Sequence, residues 1–438
     1  MHITFIRPNM TTMRSSDALE PLVFAILAGL TPAEYETVLY DDRLEEIPMD
    51  EPTDLVALTV ETYTARRAYE IADDYRQRGI RVVMGGYHPS FLPKEALAHA
   101  DAVVVGDAES VWTTLLEDLC TNQLKQIYRG NGVSSLAGIP YDRTIFKGKR
   151  YGPLRLLQWG RGCPFNCDFC SIRAFYGTHQ RQRPVAELVA EIEHLNPRHV
   201  FLVDDNLFAD AAKLEELLLA LKPLGITWST QISINITRKP KLLRLLRESG
   251  CASVVIGFES LNPESLQQMK KSWNRKGHDY ETAIRIMYDH GIMIYGTFVF
   301  GYDGDTPDAF DITHDFALRN RFFLANFNPL TPTPAAPLYD RLKAEQRLIY
   351  DPWWLDPNYR YGEATFQPCG MTAQQLTQGC FKTRSKFYEY NSIGRRALAT
   401  ENHNRSLSRL FIYLSANLIS KREIADKQGI ALGSPARP

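Results

Sequence analysis

Three cysteines, Cys163, Cys167 and Cys170, stand within eight residues in the segment RGCPFNCDFC, with Cys-x3-Cys-x2-Cys spacing. Thiolates are soft ligands suited to iron or zinc, and a tight loop brings all three to one metal centre. Their number is informative. A closed zinc site or an electron-transfer cluster takes four protein ligands, whereas three thiolates on a 4Fe-4S cluster leave one iron open to an exogenous ligand. An open iron can do chemistry. The competing reading is a zinc knuckle that borrows a fourth ligand, such as Cys251 or a histidine.

The elements that must position this loop are read from apolar periodicity. Residues 2–7 (HITFIR), 55–60 (LVALTV), 81–85 (RVVMG) and 102–105 (AVVV) are short runs rich in β-branched residues and read as buried strands. Between them residues 64–78 put Ala68, Ile71, Ala72 and Tyr75 on one helical face, and Gly79 ends the helix. Alternating strands and helices predict a doubly wound parallel sheet over residues 1–135, with ligands at the carboxyl ends of its strands. A polar connection over 129–153 precedes a second series, which begins at residue 155 and continues at 198–206, 226–234, 253–260, 293–301 and 324–332. Six strand-helix repeats predict a partial TIM-type (β/α)6 barrel over 150–335, again with its chemistry at the carboxyl ends. The cysteine loop follows the first of these strands. The expected fold class is therefore α/β, two parallel-sheet domains followed by a helical C-terminal element over 336–438. That last region begins irregular and aromatic, and residues 381–438 carry 11 Lys/Arg against 4 Asp/Glu, which suits a substrate-facing or capping element.

The motif with aromatic Phe169 before its last cysteine resembles that of the radical S-adenosylmethionine family, and the likeness extends over residues 155–332. It implies that Cys163, Cys167 and Cys170 ligate a 4Fe-4S cluster, that the open iron holds the amine and carboxylate of S-adenosylmethionine, and that Phe169 packs near the adenine. Electron transfer then splits the sulfonium to a 5'-deoxyadenosyl radical. Cofactor contacts in that family come from later strand ends, where this chain offers Asp205, Gln231, Ser233, Glu259 and Gly301, with Glu259 and Gln231 foremost. A cationic amine and sulfonium need carboxylate or carbonyl partners, and ribose hydroxyls need paired acceptors. The alternative for each carboxylate is to cap the following helix. Arg161, beside the cysteines, either counters cluster charge or pairs with an acid.

Residues 36–112 closely resemble the amino-terminal domain of cobalamin-binding radical S-adenosylmethionine enzymes. The resemblance implies a Rossmann-like domain of cobalamin-binding type whose loops surround the corrin, with Tyr63, Gly85, Gly86 and His88 as contacts. The Asp-x-His-x-x-Gly pattern that supplies a cobalt-ligating histidine in methionine-synthase-like proteins is absent, and His88 in GGYHP reads either as a ligand or as a structural residue of a Gly-Gly turn. The later match resembles members acting on hopanoid or bacteriochlorophyll-type substrates, although Pro334-Ala335-Ala336 stands where relatives often have Pro-Gly-Thr.

The functions implied are a radical enzyme, foremost a cobalamin-dependent methyltransferase acting on an unactivated carbon of a small or bulky metabolite. A cyclase, rearrangement or hydroxylation enzyme without methyl transfer is the alternative, and a non-catalytic metal-binding or redox-sensing protein the remoter one. Expected partners are a small molecule and an electron donor such as flavodoxin or ferredoxin. With 50 Lys/Arg against 51 Asp/Glu there is no global field for nucleic acid. MHITFIRPNM has no basic stretch leading into an apolar one, and no run reaches the roughly 18 apolar residues of a membrane span, so a cytoplasmic protein is expected. Leu407, Leu410, Phe411, Leu414 and Leu418 share one helical face near Arg405, Arg409, Lys421 and Arg422; such a stripe packs on its own protein or touches a membrane. Trp353, Trp354, Tyr359 and Tyr361 either floor a substrate pocket or anchor their segment. Cys120, Cys251, Cys369 and Cys380 read as buried thiols.

Overall fold

The computed structural model describes residues 1–130, 135–208 and 210–434. Six strands make the first sheet: β1 (His2–Arg7), β2 (Glu36–Asp41), β3 (Leu55–Thr59), β4 (Arg81–Gly85), β5 (Ala102–Gly106) and β6 (Ile127–Gly130). All neighbours are parallel, in the order β2-β1-β3-β4-β5-β6. Helices cover both faces, so Leu55, Val56, Ala57 and Leu58 are all buried and β3 is a continuous apolar run. The helix Ala65–Gln77 buries Ala68, Ile71, Ala72 and Tyr75 as its periodicity requires. The chain leaves β1 in one direction toward β2 and returns on its other side at β3. That reversal opens a crevice above the carboxyl ends of β1 and β3.

The second sheet holds β7 (Arg155–Leu157), β10 (His199–Leu202), β11 (Thr227–Gln231), β12 (Cys251–Glu259), β13 (Met293–Phe300) and β14 (Leu324–Pro329). These six are parallel and lie in chain order, with β7 and β14 as unjoined edges, which makes the barrel partial. One face of this sheet packs Leu202, Val254, Ile256, Ile294, Phe298 and Phe327 against helices. The alternate residues, among them Phe201, Ser229, Val255, Tyr295, Asn326 and Asn328, are half-buried or nearly so and face inward. Between β7 and β10 lies a feature the sequence pattern does not announce. Two-residue strands β8 (Gly160–Arg161) and β9 (Arg181–Gln182) pair antiparallel, and the cysteine loop leaves and re-enters through this ribbon.

The C-terminal region is a clamp across both sheets. Trp353, Trp354 and Tyr359 are buried in the core of the first sheet, and the Trp354 indole donates to Glu95 at 3.0 Å. These three aromatics therefore anchor their segment. Tyr413 and Asn417 of the long helix Leu407–Lys427 are its buried residues. Of that stripe Leu410 packs against Phe323 and Tyr413 and their neighbours, whereas Leu407, Phe411, Leu414 and Leu418 remain on the surface, Leu407 85% and Phe411 71% exposed. Among the described residues no helix is long and apolar enough to cross a membrane.

Three expectations change in the structure. Strands β2 and β6 were not foreseen, because edge strands with exposed Glu36, Val38 and Arg129 lack the fully apolar signature. The GGYHP turn is a Gly-Gly bend that continues into a short helix, Tyr87–Phe91. Cys120 and Cys369 are exposed, while Cys251 and Cys380 are buried as expected. Residues 131–134 of the expected connection lie outside the described residues.

Candidate functional site

The cysteine loop is shaped by its backbone contacts. Gly162 opens it with φ +90°, and a Cβ there would lie 2.0 Å from the carbonyl oxygen of His179 on the returning strand, so only glycine fits. Its N–H donates to the Asp205 carboxylate at 2.7 Å. Further along, Asp168 ties the loop to three distant elements. Its N–H donates to the Met269 carbonyl at 3.2 Å, its carbonyl accepts from Leu338 N–H at 3.0 Å, and its carboxylate accepts the Tyr302 hydroxyl at 2.5 Å. Phe165 stacks on Trp273 with ring centres 3.6 Å apart.

All three cysteines are free thiols. Burial pushes the Cys167 thiol up to about 12, and burial also raises Cys163, beside Cys170, and Cys170, beside Asp205. Without a metal they are held protonated, and metal binding would release those protons. Asn206 directs its amide N–H at the Cys163 sulfur, 3.9 Å away. Lys271 is buried, pairs with Glu259 at 2.6 Å and faces Cys167 and Cys170. Burial alone would lower the ammonium, but Glu259 and the thiols outweigh it and the lysine stays above its ordinary value. An N–H donor and a cation around soft ligands suit an anionic iron-sulfur cluster. Among the described residues no three Cys, His, Asp or Glu side chains converge as ligands of one ion would, whereas a cluster takes one thiolate per iron and needs no such convergence. The residues present fit the cluster better than the zinc knuckle.

The strand-end residues gather on the same side. Glu259 closes β12 with φ +62° and is buried against Lys271. Gln231 closes β11 and donates to the Asp205 carbonyl at 3.1 Å. Ser233 follows, its N–H held by Asn206 at 3.2 Å and its buried hydroxyl unpartnered. Gly301 turns the chain after β13, and its N–H donates to Asp305 at 2.9 Å. Phe169 is half-buried against the barrel core. Asp205 caps no helix; the cap of the next helix is Asp210, which accepts from Ala212 and Lys213. Burial raises Asp205 to about 6 and its neighbour Asp204 to about 8.

A cavity of about 450 Å³ lies over the carboxyl edge of the first sheet. Its floor and walls are mostly apolar, including Leu58, Val60, Val83, Val104 and Trp112, and Gly85 and Gly86 are on its rim. A Cβ on Gly86, which has φ +103°, would come within 2.8 Å of the Val60 carbonyl oxygen. The far wall belongs to the second half: Leu156, Gln158, Arg161, Phe175, Tyr176 and Val203. Arg161 joins the halves by ion pairs to Asp107 at 3.0 Å and Glu109 at 2.6 Å, and Arg181 adds a second bond to Asp107 at 2.6 Å.

Two expected corrin contacts lie elsewhere. His88 is fully buried behind the sheet, bonded to Glu95 at 2.9 Å and Tyr69 at 3.1 Å, because the helix Tyr87–Phe91 turns its ring away from the cavity. Tyr63 packs on Trp353 and donates to Thr331 beyond β14. Arg161 takes the acid-pairing alternative, and Tyr87 of GGYHP lines the cavity, while Tyr176 and Lys271 were not singled out from the sequence. Tyr176, six residues beyond the last cysteine, is the one that loop proximity could have flagged.

Comparison with known proteins agrees with this geometry. Residues 157–317 match the Radical SAM superfamily and residues 22–116 the B12 binding domain. The chain is 32% identical over 389 residues to the bacteriochlorophyllide d C-12(1)-methyltransferase of Chlorobaculum tepidum, covering 86% of this chain and 84% of that one. It is 34% identical over 354 residues to the bacteriochlorophyllide d C-8(2)-methyltransferase of the same organism, covering 76% and 78%. Among solved structures it is similar to the radical S-adenosylmethionine methyltransferase TsrM from Kitasatospora setae, solved with cobalamin and a 4Fe-4S cluster. There the TM-score is 0.63 at 18% identity, covering 86% of this chain and 84% of that one. The fold and the three-thiol loop are those of a radical S-adenosylmethionine enzyme. Within that class the chain belongs to the cobalamin-dependent family whose members carry a B12-binding domain ahead of the radical domain.

Proposed function

We propose that this enzyme transfers a methyl group to an unactivated carbon of a bulky, largely apolar metabolite, foremost a tetrapyrrole of the kind named in its bacteriochlorophyllide relatives. One observation carries the reading: the cavity on the cobalamin-type sheet is walled on its far side by residues of the barrel, so a group seated on the first sheet faces the second without an intervening layer. When bound, the cluster supplies the electron that cleaves S-adenosylmethionine and cobalamin supplies the methyl carrier. The protein's part is to hold and orient. Cys163, Cys167 and Cys170 hold the cluster, and Asn206 and Lys271 offset its charge. Glu259, Gln231, Ser233, Asp205, Gly301 and Phe169 line the place for S-adenosylmethionine. Gly85 and Gly86 admit the corrin, while His88 and Tyr63 support the walls behind it. This reading also puts the enzyme in the cytoplasm with a flavodoxin- or ferredoxin-type electron donor.

Anaerobic reconstitution with iron, sulfide and hydroxocobalamin tests it. With S-adenosylmethionine, dithionite and bacteriochlorophyllide d, the enzyme is expected to give 5'-deoxyadenosine, S-adenosylhomocysteine and a methylated product by mass spectrometry. A Cys167→Ala variant should lose its brown chromophore and all three products. Absence of 5'-deoxyadenosine from the wild type sinks the radical chemistry. Its appearance without S-adenosylhomocysteine sinks methyl transfer and favours a cyclase or rearrangement.

A further inference from the structure

Among the described residues four arginines are buried: Arg161, Arg183, Arg384 and Arg396. Three are neutralised or saturated. Arg161 meets Asp107 and Glu109, and Arg183 meets Glu191 at 2.5 Å with Glu187 beyond it. Arg396 donates to the carbonyls of Phe322, Phe323 and Phe387 and to the Asn417 amide oxygen, with its guanidinium 3.8 Å from the Phe387 ring centre. It is a structural bolt.

Of the four, Arg384 alone lacks both a carboxylate and a full set of hydrogen bonds: Arg183, whose Nε is also unpartnered, keeps Glu191 and Glu187, and Arg396 has only neutral oxygens but is saturated by them. The Nη2 of Arg384 donates to the amide oxygen of Gln428 at 2.8 Å, its Nη1 stands 3.5 Å from the amide oxygen of Asn328, and its Nε has no partner. Among the described residues no carboxylate pairs with it. A buried charge is costly unless a counter-ion or a full set of hydrogen bonds offsets it, and Arg384 has neither.

Its position says what that could be. Arg384 projects from the helix Ala373–Phe387, which packs along β14. Asn328 belongs to the inward face of β14 that also carries Asn326, beside Tyr295 of β13. Tyr63 of the first half lies within the field of Arg384 and bonds Thr331 just past β14. This guanidinium, with its Nε unpartnered, is thus at the seam between the two halves. It stands on the β14 side of the sheet, whereas the cysteine loop emerges beside β7 at the opposite edge, where the facing cation is Lys271.

We propose that Arg384 binds a carboxylate of the substrate, so that the molecule modified is an organic acid anchored at the β14 edge with its reacting carbon directed inward. A guanidinium presents a planar fork that matches a carboxylate in two parallel hydrogen bonds. The Gln428 amide oxygen occupies one of the two acceptor positions, and the unpartnered Nε marks the other. The proposal deepens the methyltransferase reading by naming a group on its substrate, but the anion site stands on Arg384 and its neighbours alone.

The test uses reconstituted holoenzyme, wild type, Arg384→Met and Arg384→Lys. Pyropheophorbide a, which carries one free propionate, and its neutral methyl ester are titrated by fluorescence quenching. The wild type is expected to prefer the acid by about 10- to 100-fold. Arg384→Met should bind acid and ester alike with ester affinity unchanged, and Arg384→Lys should keep part of the preference. A wild type without preference, or a methionine variant that retains it, overturns the proposal. Should the wild type bind neither chlorin, the tetrapyrrole reading fails and a second arm decides the anion site. Sodium benzoate is expected to raise the melting temperature of the wild type and not of Arg384→Met. An equal shift in both proteins, or no shift in either, overturns the proposal whatever the chlorins do.

Discussion

The two carboxyl edges of this molecule make room by opposite means. Above the first sheet the space is carved by backbone: Gly86 adopts φ +103° against Val60, and the surfaces around it are aliphatic. Above the second sheet the space is crowded with ionisable groups, buried Asp204, Glu259 and Lys271 and half-buried Asp205, several of them moved from their ordinary titration ranges. One edge selects by shape and the other by charge. A large flat ligand rewards the former, while a reaction that moves an electron rewards the latter, since charges fixed in advance need no rearrangement as charge develops.

Cutting the seam should have the largest effect. Asp107 is shared by Arg161 and Arg181 in a buried cluster, and Asp107→Asn removes the one carboxylate common to both guanidinium groups, leaving Glu109 alone to neutralise Arg161. A loss of about 3–5 kcal/mol is expected in urea denaturation. A loss under about 1 kcal/mol would mean the halves are joined by packing and not by charge. Gly86→Ala attacks the first edge alone. Strain at its positive φ, with the Val60 carbonyl in the way, should cost about 2 kcal/mol. It should also weaken hydroxocobalamin uptake measured by absorbance, while the brown cluster chromophore survives. Equal loss of both chromophores would erase the division of labour between the edges.

Asp204→Asn probes the second edge and is the mildest change, because asparagine keeps an acceptor for the Trp159 N–H. Burial lifts Asp204 to about 8, above its value in the unfolded chain. The protonated form is therefore favoured on folding, and that contribution is full below about pH 4 and lost as pH rises toward about 8. The variant should gain stability relative to wild type across this window and level off above it. A difference independent of pH would show that Asp204 does not titrate there.

Much of this was legible in the chain because strands and loops carry strong local signatures. Leu55–Leu58 and Val82–Met84 are unbroken apolar runs, the Cys-x3-Cys-x2-Cys spacing names its own chemistry, and Glu259 stands at a strand end where a carboxylate is useful. What escaped depends on direction and distance. His88 shares a loop with Gly86, but one turn of helix aims its ring at Glu95. Lys271 reaches the cysteines only because β12 and the turn after the helix Pro263–Gln268 fold back beside Met269. Arg384 looks like any surface helix arginine until its burial is seen, with no carboxylate paired to it among the described residues. The exposed Leu407, Phe411 and Leu418 erred the other way, since periodicity detects a stripe without saying what it faces.

The three anchors of Asp168 have a consequence for the cost of filling the loop. A metal-binding loop that is disordered when empty must be folded by the metal, and part of the binding energy is consumed in ordering it. Here Met269, Leu338 and Tyr302 hold the middle of the loop through hydrogen bonds that no metal provides. That share of the ordering is met by the fold of the whole chain and is not drawn from the binding of the cluster.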